Sequence, residues 1–253
     1  MTGTSWLRCH RPRPAAATRL VCFPHAGAGA GAFRGWPQLL PPGVEAMAVQ
    51  YPGREDRFGE PPATELTDMA EAVSGELAAS ADDRPVVLFG HSMGGAVAHE
   101  VALRLAGLGG PAVVQLVVSA REPPAHVAGG TVHLGGDAAL RAELARLGGT
   151  SRLLFDDAEL WELMAPVILA DYRVVETYRP APGRTLSCPV TVFAAEDDPE
   201  LTIAQARDWE HETRGRFTLR VFPGGHFYLV PYQAQVLAAL ADCVAPHILT
   251  DAD

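Results

Sequence analysis

Residues Pro85-Val86-Val87-Leu88-Phe89-Gly90-His91-Ser92-Met93-Gly94-Gly95 decide how the rest of the chain is read. An apolar run that ends in Gly-x-Ser-x-Gly and continues into small residues has the form of a buried strand, a sharp turn and a helix start. A serine on such a turn must adopt a strained backbone, so its neighbours have to lack bulk. Gly90 and Gly94 meet that need. The turn lifts the hydroxyl above the strand ends and aims a helix N-terminus, with its partial positive charge, at whatever reacts there.

Working outward, Arg19–Phe23, Val44–Tyr51, Val86–Phe89, Val113–Ser119, Val190–Ala195 and Phe217–Phe222 are short apolar runs with strand character. Between them lie segments with helical spacing: Thr67–Ser80, with Met69, Val73 and Leu77 on one face, and Ser92–Ala106, which Gly107 is placed to end. Gln233–Val244 predicts a closing helix. Strands apolar nearly throughout, alternating with helices, indicate a parallel sheet covered on both faces. The alternation breaks between Glu122 and Pro189. There Leu140, Leu144 and Leu147 share a helical face, and Asp157 can cap a helix carrying Leu160, Leu163, Met164, Val167 and Ile168. Pro166 is expected to kink or divide that helix.

Composition bounds the function. The chain has 253 residues, enough for one large α/β domain, with 48% hydrophobic and 20% charged residues. A net charge of -10 argues against a nucleic-acid partner, which wants a basic face. All 20 basic residues are arginine. Cys9, Cys22, Cys188 and Cys243 are scattered without a Cys-x-x-Cys pair, which fits a reducing cytosol. Met1 to Arg19 lacks the apolar core of a secretory signal, and no apolar run approaches the roughly 20 residues needed to span a bilayer. A cytoplasmic chain with no membrane partner is expected.

A serine hydroxyl is a weak nucleophile unless a base stands beside it and a third group orients that base. In folds with such an elbow the acid and histidine follow the serine in the chain. Val190–Ala195 runs into Glu196-Asp197-Asp198-Pro199, and Phe217–Phe222 into Pro223-Gly224-Gly225-His226. Both corners belong to the strand edge that carries Ser92, so His226 is the base candidate. A one-residue slip among Glu196, Asp197 and Asp198 changes the acid, and the three stay open on this ground. Ala26, in the loop after the first strand, and Met93, after the nucleophile, are the backbone N–H candidates for an oxyanion hole. Gly27, Gly29 and Gly31 have the wrong spacing for a dinucleotide site, and no acid closes the second strand. His99-Glu100 is followed by no further histidine at zinc spacing, so no metal site is expected.

Four motifs in order, Cys22-Phe23-Pro24-His25-Ala26-Gly27, Gln50-Tyr51-Pro52-Gly53-Arg54-Glu55-Asp56-Arg57, Phe89-Gly90-His91-Ser92-Met93-Gly94 and Phe222-Pro223-Gly224-Gly225-His226-Phe227, resemble the type II thioesterases. These are discrete editing enzymes of polyketide and nonribosomal peptide synthesis. The resemblance runs from about Leu20 to Val244. It implies an α/β-hydrolase fold, expected here as a single domain; the helical insertion at about 122–188 would then sit over the strand ends, so a lid is the preferred reading of it, with plain core cover the alternative. It also implies hydrolysis of acyl groups from the phosphopantetheine arm of an acyl or peptidyl carrier protein, without a cofactor. Ser92 then corresponds to the nucleophile, His226 to the base and Asp198 to the acid. The chain departs from the family pattern in two places. Ala195-Glu196-Asp197-Asp198 lacks a glycine and has an extra acid, and Ala28 stands where a second glycine is usual.

The rival readings are a carboxylesterase or lipase-like hydrolase, an acyltransferase, and an inactive hydrolase fold used for binding. A monomer is expected, with carrier docking drawing on apolar lid surface and on surface arginines among Arg54, Arg57, Arg121, Arg152 and Arg173.

Overall fold

The computed structural model describes residues 5–149 and 152–248. Its centre is a seven-stranded sheet built from β1 (Leu7–Arg8), β2 (Thr18–Phe23), β3 (Val44–Val49), β4 (Val86–His91), β5 (Val113–Ser119), β6 (Val190–Ala195) and β7 (Phe217–Phe222). The spatial order is β1-β3-β2-β4-β5-β6-β7. All neighbours pair in parallel except β1, which runs antiparallel to β3 at the edge.

The near-continuous apolar strands bury both of their faces, and the period of two sorts their side chains into two cores. Val21, Phe23, Val86, Leu88, Val190 and Val192 point to one side. There they meet α1 (Leu66–Ala79) and α2 (Met93–Leu108). Leu20, Cys22, Val87, Phe89, Phe193 and Ala195 point to the other. They meet Trp36 and α7 (Gln233–Val244). α1 buries Leu66, Met69, Ala70, Val73 and Leu77, the stripe that helical spacing predicts.

Chain order reverses direction across the sheet between β2 and β4: β3 lies on one side of β2, and β5 to β7 follow on the far side of β4. The loops leaving β2 and β4 therefore flank a switch point at the carboxyl edge, where open α/β sheets place their ligands.

The segment between β5 and β6 forms α3 (Gly136–Leu147), α4 (Arg152–Asp156) and α5 (Ala158–Thr177), with a small core of Leu140, Leu144, Trp161, Ala165 and Ile168. Asp157 caps α5, its carboxylate accepting from Leu160 N at 3.0 Å. A short helix, α6 (Ile203–Arg207), follows β6.

Three local expectations are corrected and one, at Pro166, is narrowed. α5 is not divided at Pro166: Pro166 and Glu162, whose carbonyl loses its helical donor, are both exposed, so water can satisfy that carbonyl. The buried face of α5 is also rotated, with Trp161, Ala165 and Ile168 inward and Leu163 48% exposed. α2 runs past Gly107 and ends at Gly109, which takes the left-handed conformation (φ 68°), with Pro111 barring continuation. β3 stops at Val49, because Gln50 and Tyr51 turn away to serve the loop described below.

The elbow depends on two backbone approaches. A Cβ at Gly94 would lie 2.0 Å from Phe23 O, and one at Gly90 would lie 2.1 Å from Gly94 O. Neither neighbour is a side chain that can move aside. Gly94→Ala is therefore expected to cost about 3 kcal/mol or more of stability, the upper end for overpacking, read as a lower urea midpoint at unchanged slope.

Candidate active site

Ser92 sits between β4 and α2 at φ 54°, ψ -121°, a conformation that costs about 1–3 kcal/mol for a residue with a side chain. Its N–H donates to Ser119 O at 2.8 Å, tying the elbow to the end of β5. Met93 opens α2, so its N–H has no acceptor within the helix.

The corners after β6 and β7 interlock. Glu196 N donates to Phe222 O at 3.0 Å and Asp197 N to Gly224 O at 3.0 Å. Gly224 takes φ 93°, open to glycine at little cost. This pairing settles the register of the three acids: Glu196 and Asp197 are exposed, whereas the Asp198 side chain is buried. His226 Nδ1 donates to Asp198 Oδ1 and Oδ2 at 3.0 and 3.1 Å, and Glu200 N also donates to Oδ1 at 2.9 Å. With Nδ1 protonated and held by the carboxylate, Nε2 carries the lone pair a base needs. The His91 ring, next to Ser92 in sequence, lies 5.3 Å from the His226 ring. No hydrogen bond joins Ser92 Oγ to His226 here; such bonds often close only with substrate in place.

The loop after β2 carries the second backbone N–H candidate. Ala28 N bonds to His25 O at 3.1 Å, closing a turn with Ala26 and Gly27 at its centre and Gly27 at φ 80°. Gly27 N donates to Asp171 Oδ2 of α5 at 2.7 Å, and Ala26 N is left without a protein acceptor among the described residues. Ala28 occupies its position without a positive φ, so a glycine is not required there.

Tyr51 to Arg57 braces this loop, a role that sequence patterning does not reveal. Tyr51 Oη donates to Pro24 O at 3.2 Å, and Arg54 Nη1 to Ala28 O at 3.2 Å. Gln50 Oε1 accepts from Ala30 N at 2.9 Å, and Glu55 accepts from Gly31 N at 3.0 Å. Arg54 also grips Asp171 with both terminal nitrogens, Nη2 to Oδ1 at 2.8 Å, in a pair that is 3% and 0% exposed. The expectation of surface arginines fails at three positions: Arg54, Arg57 and Arg121 are all buried. Arg57 bonds to Gln50 O at 3.0 Å and lies over the Trp6 ring, whereas Arg121 lies 3.1 Å from Glu122 with its Nε and Nη2 making no hydrogen bond among the described residues. Arg173 is exposed, and the Arg152 side chain lies outside the described residues.

Two further histidines flank the site. His91 Nδ1 bonds to Ser119 Oγ at 2.9 Å, which bonds to Tyr228 Oη at 2.6 Å; burial first, then His226 and His25, pushes the His91 pKa well down. His25 packs 5.0 Å from the Phe227 ring. Among the described residues no group of three or more histidine, cysteine or acidic side chains is arranged to hold a metal. A groove of about 420 Å³ opens between this loop and α5, with Phe58, Leu163 and Met164 in its wall.

This mostly parallel sheet, with a strained serine at its switch point and an acid–histidine pair on the same edge, defines a protein of the α/β-hydrolase type. A family model described as the thioesterase domain matches residues 18–244, and the chain belongs to that family, the hydrolases that act on thioesters. It is 41% identical over 246 residues to a protein named as a cadicidin biosynthesis thioesterase of Streptomyces griseus, covering 97% of this chain and 67% of that one. To the thioesterase PikA5 of Streptomyces venezuelae it is 40% identical, covering 88% and 80%. The solved structure of the type II thioesterase BorB from the borrelidin biosynthetic cluster superposes with a TM-score of 0.86 at 41% identity, covering 98% of this chain and all of that one.

The buried geometry at Asp198 separates it from its neighbours. Asp198→Asn is expected to lower kcat by about 10³–10⁴-fold, through loss of the correct imidazole tautomer. Glu196→Gln is expected to leave kcat within about twofold, as for an exposed side chain outside the hydrogen-bonded pair. Steady-state kinetics on one acyl thioester checks both.

Stability carries its own pH signature. Burial, outweighing Glu100 beside it, holds His99 down at about 4, so the folded chain keeps this ring neutral where the unfolded chain protonates it. Stability is then full above about pH 6.5 and falls as pH drops toward 4, by at most about 1.4 kcal/mol per pH unit for this group. Urea titrations at stepped pH are expected to show a shallower acid slope in His99→Gln.

Proposed function

We propose that the chain is a discrete editing thioesterase of polyketide or nonribosomal peptide synthesis. It removes stalled or aberrant acyl groups from the phosphopantetheine arm of an acyl or peptidyl carrier protein. The observation that carries this reading is the buried Asp198–His226 pair on the strand edge that presents Ser92, in a chain about 40% identical to proteins named as biosynthetic thioesterases.

Ser92 Oγ attacks the thioester carbonyl while His226 Nε2 takes its proton. Asp198 keeps Nδ1–H donated to itself and offsets the charge of the imidazolium. The tetrahedral oxyanion is bound by the N–H groups of Met93 and Ala26, each donor contributing about 3–4 kcal/mol in sites of this kind. The C–S bond then breaks and the pantetheine thiolate leaves, taking up the proton held by His226. Water, activated by the same histidine, attacks the acyl-serine, and the carboxylic acid is released with Ser92 restored. No cofactor enters either half-reaction.

The whole chain acts as a single domain, with the insertion at about 122–188 as its lid. The groove walled by Phe58, Leu163 and Met164 offers an apolar face to the acyl-pantetheine chain. Net charge of -10 gives no general attraction to an acidic carrier, so docking falls to local contacts, with Arg173 on α5 the exposed one among the described candidate arginines. Among the described residues no helix is long and apolar enough to cross a membrane. The chain is proposed to act as a cytoplasmic monomer that meets its carrier in solution.

Matched acyl groups presented on a carrier protein and as a p-nitrophenyl ester test the substrate class. The carrier thioester is expected to be turned over at least about tenfold more efficiently, and Ser92→Ala to lower that rate by at least about 10³-fold. A preference for the ester would make the enzyme a carboxylesterase. Parental activity in Ser92→Ala would remove the serine mechanism altogether.

A further inference from the structure

We infer that Asp171 and Arg54 are positioning residues for the acyl-transfer step: from the helical insertion and the β3 loop they hold the Ala26–Gly27 peptide in place, and with it the turn that presents the neighbouring Ala26 N–H to the oxyanion. This rests on the assignment of Ser92 and the early loop given above. The turn His25–Ala28 has one central peptide, between Ala26 and Gly27, and turns of this kind differ in which way that peptide faces. The Gly27 N–H of that peptide points at Asp171 Oδ2, 2.7 Å away, and Gly27 takes φ 80° to allow it. Rotating the peptide would break this bond and leave a buried carboxylate oxygen with one donor fewer. Asp171 thus takes Gly27 N–H out of play and fixes the plane beside the Ala26 donor.

Asp171 is itself fixed. It is 0% exposed, and both of its oxygens are held by Arg54. Arg54 reaches around the same turn to Ala28 O at 3.2 Å, so one guanidinium joins the acid and the far side of the loop. Ile168, one turn before Asp171 on α5, packs where a Gly27 side chain would sit: a Cβ there would lie 2.9 Å from Ile168 Cγ1. The helix therefore clamps the turn with an apolar contact and a charged one. No other described carboxylate bonds to the His25–Ala28 turn. The pair is too deeply buried to serve a surface role, and Asp198 and His226 make no hydrogen bond to it.

The test uses the full chain and three variants: Asp171→Leu, the double Arg54→Met/Asp171→Leu, and Asp171→Asn. The main readout is the second-order rate at which a fluorophosphonate labels Ser92. It needs the same oxyanion donors whatever the natural acyl donor. Thioester kcat and KM are measured beside it. Asp171→Leu is expected to lower labelling and kcat by about 10²-fold, the loss of one oxyanion donor, with KM within about threefold. The double variant leaves no unpaired buried charge, so it is expected to recover thermal stability but not rate. Asp171→Asn keeps an oxygen for Gly27 N–H and is expected to recover part of the rate. A folded double variant that labels within about threefold of the parent would overturn the inference and leave the pair a stabilising contact only. Rapid labelling of the parent without thioester turnover would instead count against the proposed substrate, and the comparison among variants would still stand.

Discussion

The backbone at Ser92 is the constraint around which this molecule is arranged. A non-glycine residue at φ 54°, ψ -121° is held there only because the surroundings leave it no alternative. Gly90 and Gly94 touch backbone to backbone, Gly94 lies against the end of β2, and Ser92 N is bonded to the end of β5. Three adjacent strands thus converge on one residue. Everything the site needs, the free N–H groups at the start of α2 and the corners after β6 and β7, is placed relative to that fixed point.

A second anchor lies across the sheet edge. The Arg54–Asp171 pair draws the loop after β3, the turn after β2 and α5 to one place. Desolvating two charges offsets most of what their attraction returns, so such a pair is a poor source of net stability. Its value is geometric: it has one good arrangement, and losing either partner strands the other. The helical insertion is thus fastened to the strand edge at α5, while α3 and α4 touch it through the small core around Leu140 and Trp161.

Much of this was legible beforehand, for identifiable reasons. β5, β6, β7 and α7 occupy the residues that their apolar runs and helical spacing predict, because each is bounded by strong turn signals. The Asp157 cap was legible for the same reason: a local side chain satisfies a local donor. Gly107 misled because a neighbouring glycine, Gly109, is as able to end the helix, and Pro111 decides between them. Pro166 does not divide α5, because a lost hydrogen bond matters little where water reaches the carbonyl. Arg54, Arg57 and Arg121 misled because arginine is usually exposed, and nothing local shows that Arg54 will meet a partner 117 residues away.

By itself the sequence determined that a serine elbow, an acid corner and a histidine corner end the apolar strands β4, β6 and β7. Parallel strands with helical crossovers must bring all such ends to one edge, so their shared location followed from pattern alone. It did not determine which of Glu196, Asp197 and Asp198 faces the histidine. That depends on how two loops pair, Glu196 N with Phe222 O and Asp197 N with Gly224 O, and a one-residue slip leaves no trace in composition or period. Nor did it determine that Asp171 would meet Gly27 and Arg54. Contacts between side chains far apart in the chain are fixed by packing, and only the folded arrangement of α5 over the strand edge decides them.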